Sequence, residues 1–191
     1  MDATLIAWAY AVKACRRGPF PALWFFTDAR RLPDPLPAVA RLPAGLAGVV
    51  LRHDGTPGRA ALGQALARLC RARRLTLVVA SDARLAAALS AGVHLRRGRR
   101  SRRRLRPGLV TASAHDRSEL RRAAQAGADL IFLGPAFPTA SHPGRRSLGP
   151  VRWNALARKA CVPVAALGGV TGRKARALPA AAAAAAITAL V

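Results

Sequence analysis

The chain has 191 residues, 32 Lys and Arg against 8 Asp and Glu, a formal charge of +24 and 52% hydrophobic residues. A domain of this length buries about 70% of its unfolded surface, and so apolar a composition excludes intrinsic disorder in spite of the charge. Three widely spaced cysteines, Cys15, Cys70 and Cys161, match neither a disulfide framework nor a zinc-ligand spacing. No apolar run reaches the ~18 residues that would span a bilayer, and a reducing cytoplasm is the expected compartment.

The first predicted element lies in residues 1–18. Its apolar run is preceded by Asp2 and followed by Lys13, Arg16 and Arg17, the wrong charge order for a secretory signal. Leu5, Ile6, Ala9 and Val12 share one face, which predicts an amphipathic helix that stops at Gly18-Pro19. Short runs rich in Val, Leu, Ile or Phe follow at 23–27, 48–52, 76–79, 93–95, 109–113, 130–133 and 164–167. Each has the length of a buried strand. Between them lie helical periods: Leu62, Ala65, Leu66 and Leu69; Leu85, Ala86 and Leu89 after an N-cap at Asp82; and Leu120, Ala123 and Ala124. The last of these opens on Asp116 and Glu119 in capping-box spacing. Strand and helix in alternation predict a parallel α/β sheet with right-handed crossovers. An eighth strand would come from 183–187.

Eight such units make a (β/α)8 TIM barrel, here a short one with an added N-terminal helix, and an open doubly wound sheet satisfies the same periodicity. Pro33, Pro35, Pro37 and Pro43 crowd one connection, and no linker divides the chain. The reading is an N-terminal helix over 1–18 and a single barrel domain over 19–191, lacking the last helix. That first helix would then cover the place of the missing one.

Of the 32 cations 29 are Arg, a bias that GC-rich codons produce by drift, yet drift does not explain eight Arg among the eleven positions from Arg96 to Arg106. Such a block attracts phosphate or nucleic acid. Without interleaved aromatics it reads better as a solvated surface segment.

Ligands of parallel α/β folds bind beyond the carboxyl ends of the strands. The residues there are Asp28, Arg52-His53-Asp54, Ser81-Asp82, Arg96-Arg97, Ser113 and His115, the segment 134–142, and Gly168-Gly169. The segments Ser113-Ala114-His115, Gly127-Ala128-Asp129, Gly134-Pro135-Ala136-Phe137-Pro138-Thr139 and Val164 to Thr171 resemble, in order and spacing, thiamine phosphate synthases and their relatives, the TenI-type thiazole tautomerases. The resemblance implies a (β/α)8 barrel and a role in thiamine biosynthesis. The family's synthase couples a pyrimidine pyrophosphate to a thiazole phosphate with Mg²⁺, which is held by carboxylates and helps the pyrophosphate leave.

Carried over residue by residue, the family's Gln-x-Arg-Glu-Lys falls on Val50 to Asp54. Only Arg52 is kept, and the Lys becomes Asp54. The metal carboxylates fall on Ser81 and Arg99, which cannot bind a cation, so no metal or other cofactor is expected. By the resemblance, Ser113 and His115 are the catalytic pair, with His115 as general acid and base. Arg52, Thr139, Ser141, Gly168 and Gly169 would bind substrate, His142 stands where the family has Lys, and the eighth-strand phosphate loop becomes Ala183 to Ala185, whose methyl groups would crowd a phosphate. The implied partner is a small phosphate ligand, thiazole phosphate or thiamine phosphate, handled by TenI-like chemistry or by a weakened synthase. Two alternatives stand beside it: a non-catalytic or regulatory phosphate-binding protein, and a nucleic-acid binder using the Arg96 to Arg106 cluster. No oligomeric state follows from the sequence.

Overall fold

The computed structural model describes residues 1–16, 18–96, 108–139, 144, 146–186 and 188–190. In chain order the elements are α1 (Ala3–Arg16), β1 (Leu23–Phe26), α2 (Leu36–Arg41), β2 (Ala47–Leu51), α3 (Arg59–Ala72), β3 (Thr76–Ala80), α4 (Ala83–Ala88), β4 (Gly92–Leu95) and β5 (Val110–Ala114). They continue with α5 (Arg117–Gln125), β6 (Leu130–Leu133), α6 (Gly149–Arg158), β7 (Val164–Leu167), α7 (Gly172–Ala175) and β8 (Ala183–Ala186), before a 3₁₀ turn at Thr188–Leu190. The eight strands are all parallel and close in sequence order, β8 returning to β1 with Leu23 beside Ala184. The fold is the (β/α)8 barrel, and the open sheet is excluded.

Alternation along each strand divides the core in two. Leu23 and Phe25 face the surrounding helices, whereas Trp24 and Phe26 join Val50, Val78, Leu130 and Phe132 in the barrel interior. On β7 and β8 the fully buried interior positions are Ala165, Ala183 and Ala185, with the partly buried Leu167 packed against them at the end of β7. Three aromatics fill the space these methyls leave: Phe132 meets Trp24 edge-on at 5.3 Å and Phe26 at 4.8 Å. Gly48 belongs to the same arrangement, because a Cβ there would lie 2.6 Å from the Trp24 ring. Trp24 Nε1 donates to the Pro21 carbonyl at 2.9 Å, which fixes the ring's tilt.

The outer face of β8 is covered by α1, which packs against α7 and β8 and buries Leu5 and Ala9 completely. Asp2 pins its start. One carboxylate oxygen accepts from the Leu5 N–H at 3.0 Å, the other from the Gly172 N–H of α7 at 2.9 Å, and the Asp2 N–H donates to Ala189. At the far end Lys13 donates to the Gly18 and Phe20 carbonyls and Arg16 to Pro179.

Three helices lie outside the periodicities read from the sequence. Among the crowded prolines, α2 forms because Pro37 falls in its first turn, where a missing N–H costs nothing. The apolar side of α6 rests mainly on Trp153 and Ala157, too sparse a signal, and α7 is a single turn.

Two outcomes follow from the α1 contacts. Leu5→Ala should cost about 2–5 kcal/mol in denaturant melts, and deleting residues 1–18 should lower Tm further; a deletion variant that melts with the full chain would refute the covering role. Burial raises the Asp2 pKa, but the backbone donors Gly172, Leu5 and Thr4 outweigh it and hold the carboxyl below 3.8. The stability it contributes is therefore present above the ordinary carboxylate range and is lost as pH falls through the lowered value. Asp2→Asn should flatten that part of the acid melting profile.

Candidate functional site

The C-terminal ends of the strands form a rim with two chemically different halves. On the first half, Ser113 lies on β5, partly buried, and His115 follows the strand by one residue. The chain turns there because Asp116 caps α5, accepting from the Glu119 N–H at 2.8 Å, while Glu119 accepts from the His115 N–H at 2.9 Å. Ser118 and then the Glu119 amide hold the Asp116 carboxyl below its ordinary value. His115 Nδ1 donates to the Gly134 carbonyl. That bond fixes the tautomer with Nε2 unprotonated and takes no other partner among the described residues. This backbone contact is what orients the ring.

Beyond β6 and β7 the two loops are laced together: Ala136 N–H donates to Leu167 at 2.8 Å and Phe137 N–H to Gly168 at 3.0 Å. Gly168 and Gly169 have φ of +92° and +64°, and a Cβ on Gly169 would lie 2.3 Å from the Pro138 carbonyl oxygen. The glycine pair is therefore required by close packing whether or not it meets a ligand. Thr139 ends the described part of this loop, half-buried, with Lys174 placed 5.5 Å over the ring of Phe137. Ser141 and His142 lie outside the described residues, as do Arg97, Arg99 and the rest of the run to Arg106. Ala183 to Ala185, which by the resemblance stand at the eighth-strand phosphate loop, lie in the expected strand β8, with their methyl groups in the two cores.

The second half, at the ends of β1 to β4, is built from ion pairs. Arg52 reaches Asp28 at 2.7 Å, and its N–H donates to Thr27 Oγ1. Burial raises the Asp28 pKa, but the Arg30 amide and the Arg52 guanidinium outweigh it and the carboxyl stays ionised. Arg59, from the start of α3, contacts Asp54 at 2.9 Å, Asp82 at 3.5 Å and the Ala80 carbonyl at 2.5 Å. Arg96 contacts the other Asp54 oxygen at 3.0 Å. Asp28, Arg30, Arg31, Arg52, Asp54 and Arg96 line a cleft of about 430 Å³.

These residues do not fit Mg²⁺. Ser81, at one expected carboxylate position, has φ +59° and gives its N–H to the His94 carbonyl. Among the described residues no group of three His, Cys, Asp or Glu could hold a metal. The guanidinium of Arg59 instead lies between Asp54 and Asp82, and a cation would have to displace it.

Two histidines differ from the sequence reading. His53, placed by the sequence among the strand-end residues open to a ligand, is buried with Nδ1 2.9 Å from Thr27 Oγ1. His94 was not singled out, although the alternation of Val93, His94 and Leu95 turns it inward. It lies in the barrel under the rim, bonded to Thr111 Oγ1 at 2.9 Å and packed edge-on against Phe26. Burial first, then the charges of Arg52 and Arg96, push its pKa down to about 3. A larger cavity of about 610 Å³ lies at the opposite, N-terminal end, beside Phe20, Ala22 and Val164. Of its cations Lys13, Arg16 and Arg158, the first two are spent on backbone carbonyls, and it lies at the wrong end of the strands for a barrel site.

The family described as thiamine monophosphate synthase matches residues 25–190. The thiamine-phosphate synthase of Thiobacillus denitrificans is 35% identical over 159 residues, 76% of this chain and 75% of that protein. The thiamine-phosphate synthase of Geobacillus thermodenitrificans is 36% identical over 62% of this chain and 57% of that protein. The thiamine biosynthesis bifunctional protein ThiED of Geobacter sulfurreducens is 36% identical over 63% of this chain and 26% of its own length. Against these last two relatives the chain spans 57% and 26% of their length. Among solved structures, the thiamine phosphate pyrophosphorylase from Pyrococcus furiosus superposes with a TM-score of 0.70 at 25% identity, over 87% of this chain and 85% of that one. No described helix is long and apolar enough to cross a membrane.

The packing and the buried imidazole each give an expected outcome. Gly169→Val should destabilise the protein by about 2 kcal/mol or more, through the positive φ and the clash with Pro138, and show as a lowered Tm without any ligand. His94 should stay neutral in the folded protein down to about pH 3, with its ring resonances unmoved between pH 7 and pH ~4. The unfolded chain takes up this proton near 6.5, so stability should fall with pH between 6.5 and about 3.

Proposed function

The chain belongs to the thiamine monophosphate synthase family, and from that premise we propose that it is a thiamine-biosynthesis protein that takes a thiazole phosphate at the β5 to β7 rim. The observation that carries this reading is the fixed imidazole of His115. With Nδ1–H committed to the Gly134 carbonyl, Nε2 is a base positioned at the mouth of the barrel. It takes a proton from one position of the bound ring and returns one to another, an isomerisation that leaves the substrate's composition unchanged. Ser113, two residues earlier and on β5, alternates with Ala112 and Ala114 of the outer core, which turns it toward the barrel interior, and it is assigned to hold the substrate beside the imidazole. The phosphate is assigned to the backbone around Gly168 and Gly169 with Thr139, a cradle that needs no metal.

No step runs through Mg²⁺, because the residues at its expected position do not fit it. Synthase-type coupling is the second reading. It is favoured by the arginine-lined cleft on the other half of the rim, which offers a place for a leaving diphosphate. Apart from Arg96, the nucleic-acid reading rests on residues outside the described part of the chain.

The test is solvent-isotope exchange into thiazole phosphate, followed by NMR with EDTA present. Exchange should be catalysed without Mg²⁺, and His115→Gln should reduce it by a factor of about 10² or more while sparing ligand-induced thermal stabilisation. Exchange unchanged in His115→Gln would overturn the assignment. Mass-spectrometric detection of thiamine phosphate from both substrates, without exchange, would favour the second reading.

A further inference from the structure

The cavity at the N-terminal end of the barrel is built by one short helix. α7, which packs against α1, has 4 residues beside 14 in α1 and 10 in α6. At 1.5 Å per residue it covers only about 6 Å of the barrel wall, and the connection 176–182 takes the place of the rest. That connection is tied down from both flanks. Asn154 of α6 donates to the Ala177 carbonyl at 2.9 Å and accepts from the Ala180 N–H at 3.2 Å, while Arg16 of α1 donates to the Pro179 carbonyl at 2.8 Å. A cavity of about 610 Å³ stays open there, over Ala22, Val164 and Ala182 at the strand starts, because the alanines of its wall are too small to fill it. Hydrogen bonds that need no ligand thus hold its walls, as in a preformed binding pocket.

The lining divides chemically. Val12, Phe20, Val162 and Val164 form an apolar side, and three cations, Lys13, Arg16 and Arg158, stand with no acid among them. The carbonyl ends of α1 and α6 contribute about half a negative charge each, which leaves a surplus of roughly two positive charges. Lys13 commits two of its three N–H groups, to Gly18 at 2.6 Å and Phe20 at 3.1 Å. Arg158, exposed in the last turn of α6, has no side-chain partner among the described residues.

We propose that this cavity is a second, non-catalytic binding site for a small carboxylate with an apolar body, of the medium-chain alkyl class. The hydrocarbon lies against the valines and Phe20, and the head group is held by Arg158 and the uncommitted N–H of Lys13. A bare anion would leave the apolar side wet, and a neutral hydrocarbon would leave the cations unanswered. One planar guanidinium pairs both oxygens of a carboxylate. A dianionic phosphate would call for a second uncommitted guanidinium, and Arg16 is already held by Pro179. The inference concerns the opposite end of the barrel from the rim and does not rest on the thiazole phosphate reading.

The chain carries its own reporter. Cys161 is exposed in the lining, Cys15 is exposed on α1 outside it, and burial pushes the thiol of Cys70 up to about 12. Iodoacetamide labelling of the full chain, read at each cysteine by mass spectrometry, should be slowed several-fold at Cys161 by sodium octanoate below its micellar concentration, with Cys15 unchanged. Calorimetric titration should give one-to-one binding, about tenfold tighter for octanoate than for hexanoate, from the two extra methylenes buried. Arg158→Ala, a change at an exposed side chain, should weaken octanoate binding about tenfold. Ala160→Phe should fill the cavity and abolish both binding and protection, with folding checked by its melting curve; if that variant does not fold, Arg158→Ala decides. Equal binding by Arg158→Ala and the unaltered chain would overturn the proposal, as would equal slowing at Cys15 and Cys161. Octan-1-ol binding as tightly as octanoate would reduce the site to an apolar cleft, and acetate protecting Cys161 as well as octanoate would reduce it to surface charge; either result also overturns it.

Discussion

The closure of this barrel depends on one all-alanine strand being packed from both sides. β8 carries only methyl groups, so its inner face cannot reach the barrel axis and its outer face offers no ridge to a helix. Trp24, Phe26 and Phe132 supply the missing volume inside, and α1 supplies the cover outside. Strand hydrogen bonds alone would leave voids whose walls lose their dispersion contacts. The N-terminal helix thus belongs to the barrel although it precedes the first strand, and Asp2 couples it to α7 through a single carboxylate.

The same closure sets the two halves of the rim. On the β5 to β7 side the loops are laced backbone to backbone, which fixes Gly134 and, through its carbonyl, the ring of His115. On the β1 to β4 side the backbone makes fewer such crossings among the described residues, and charged side chains span the gaps instead. His94 stands between the two halves, beneath both. It is kept neutral by burial and by the arginines above it, so the cation surplus of the rim does not continue into the barrel.

Much of the fold was legible in the sequence because parallel strands buried on both faces are continuous apolar runs. All eight strands fall where those runs predict, within a residue or two. The Asp82 and Asp116 caps were legible too, since a short acceptor before an apolar period has few other uses. The site was less so. Asp54 reads in the sequence as an inverted charge, a loss, and only in space does it become the centre of an ion-pair network. Its partner Arg59 lies in a helix whose visible signal is its apolar face, and Arg59 belongs to the other one. His94 was hidden by its strand: an imidazole among Val and Leu reads as part of the run, and its neutrality depends on arginines brought in from β2 and the end of β4.

The acidic residues show how a chain so rich in arginine still specifies a rim. There are only eight Asp and Glu, and each has a definite partner. Asp2, Asp34, Asp116 and Asp129 accept from backbone N–H groups at helix starts or strand entries, and Glu119 accepts from His115. Asp82 both caps α4 and contacts Arg59, while Asp28 and Asp54 hold the arginines of the cleft. No acid is left over to neutralise the surface. With cations outnumbering acids four to one, an exposed arginine is repelled from every direction except that of the nearest carboxylate. Three aspartates at the ends of β1, β2 and β3 therefore determine where the ordered guanidiniums of the rim stand, and the rim's chemistry follows from the few negative charges rather than from the many positive ones.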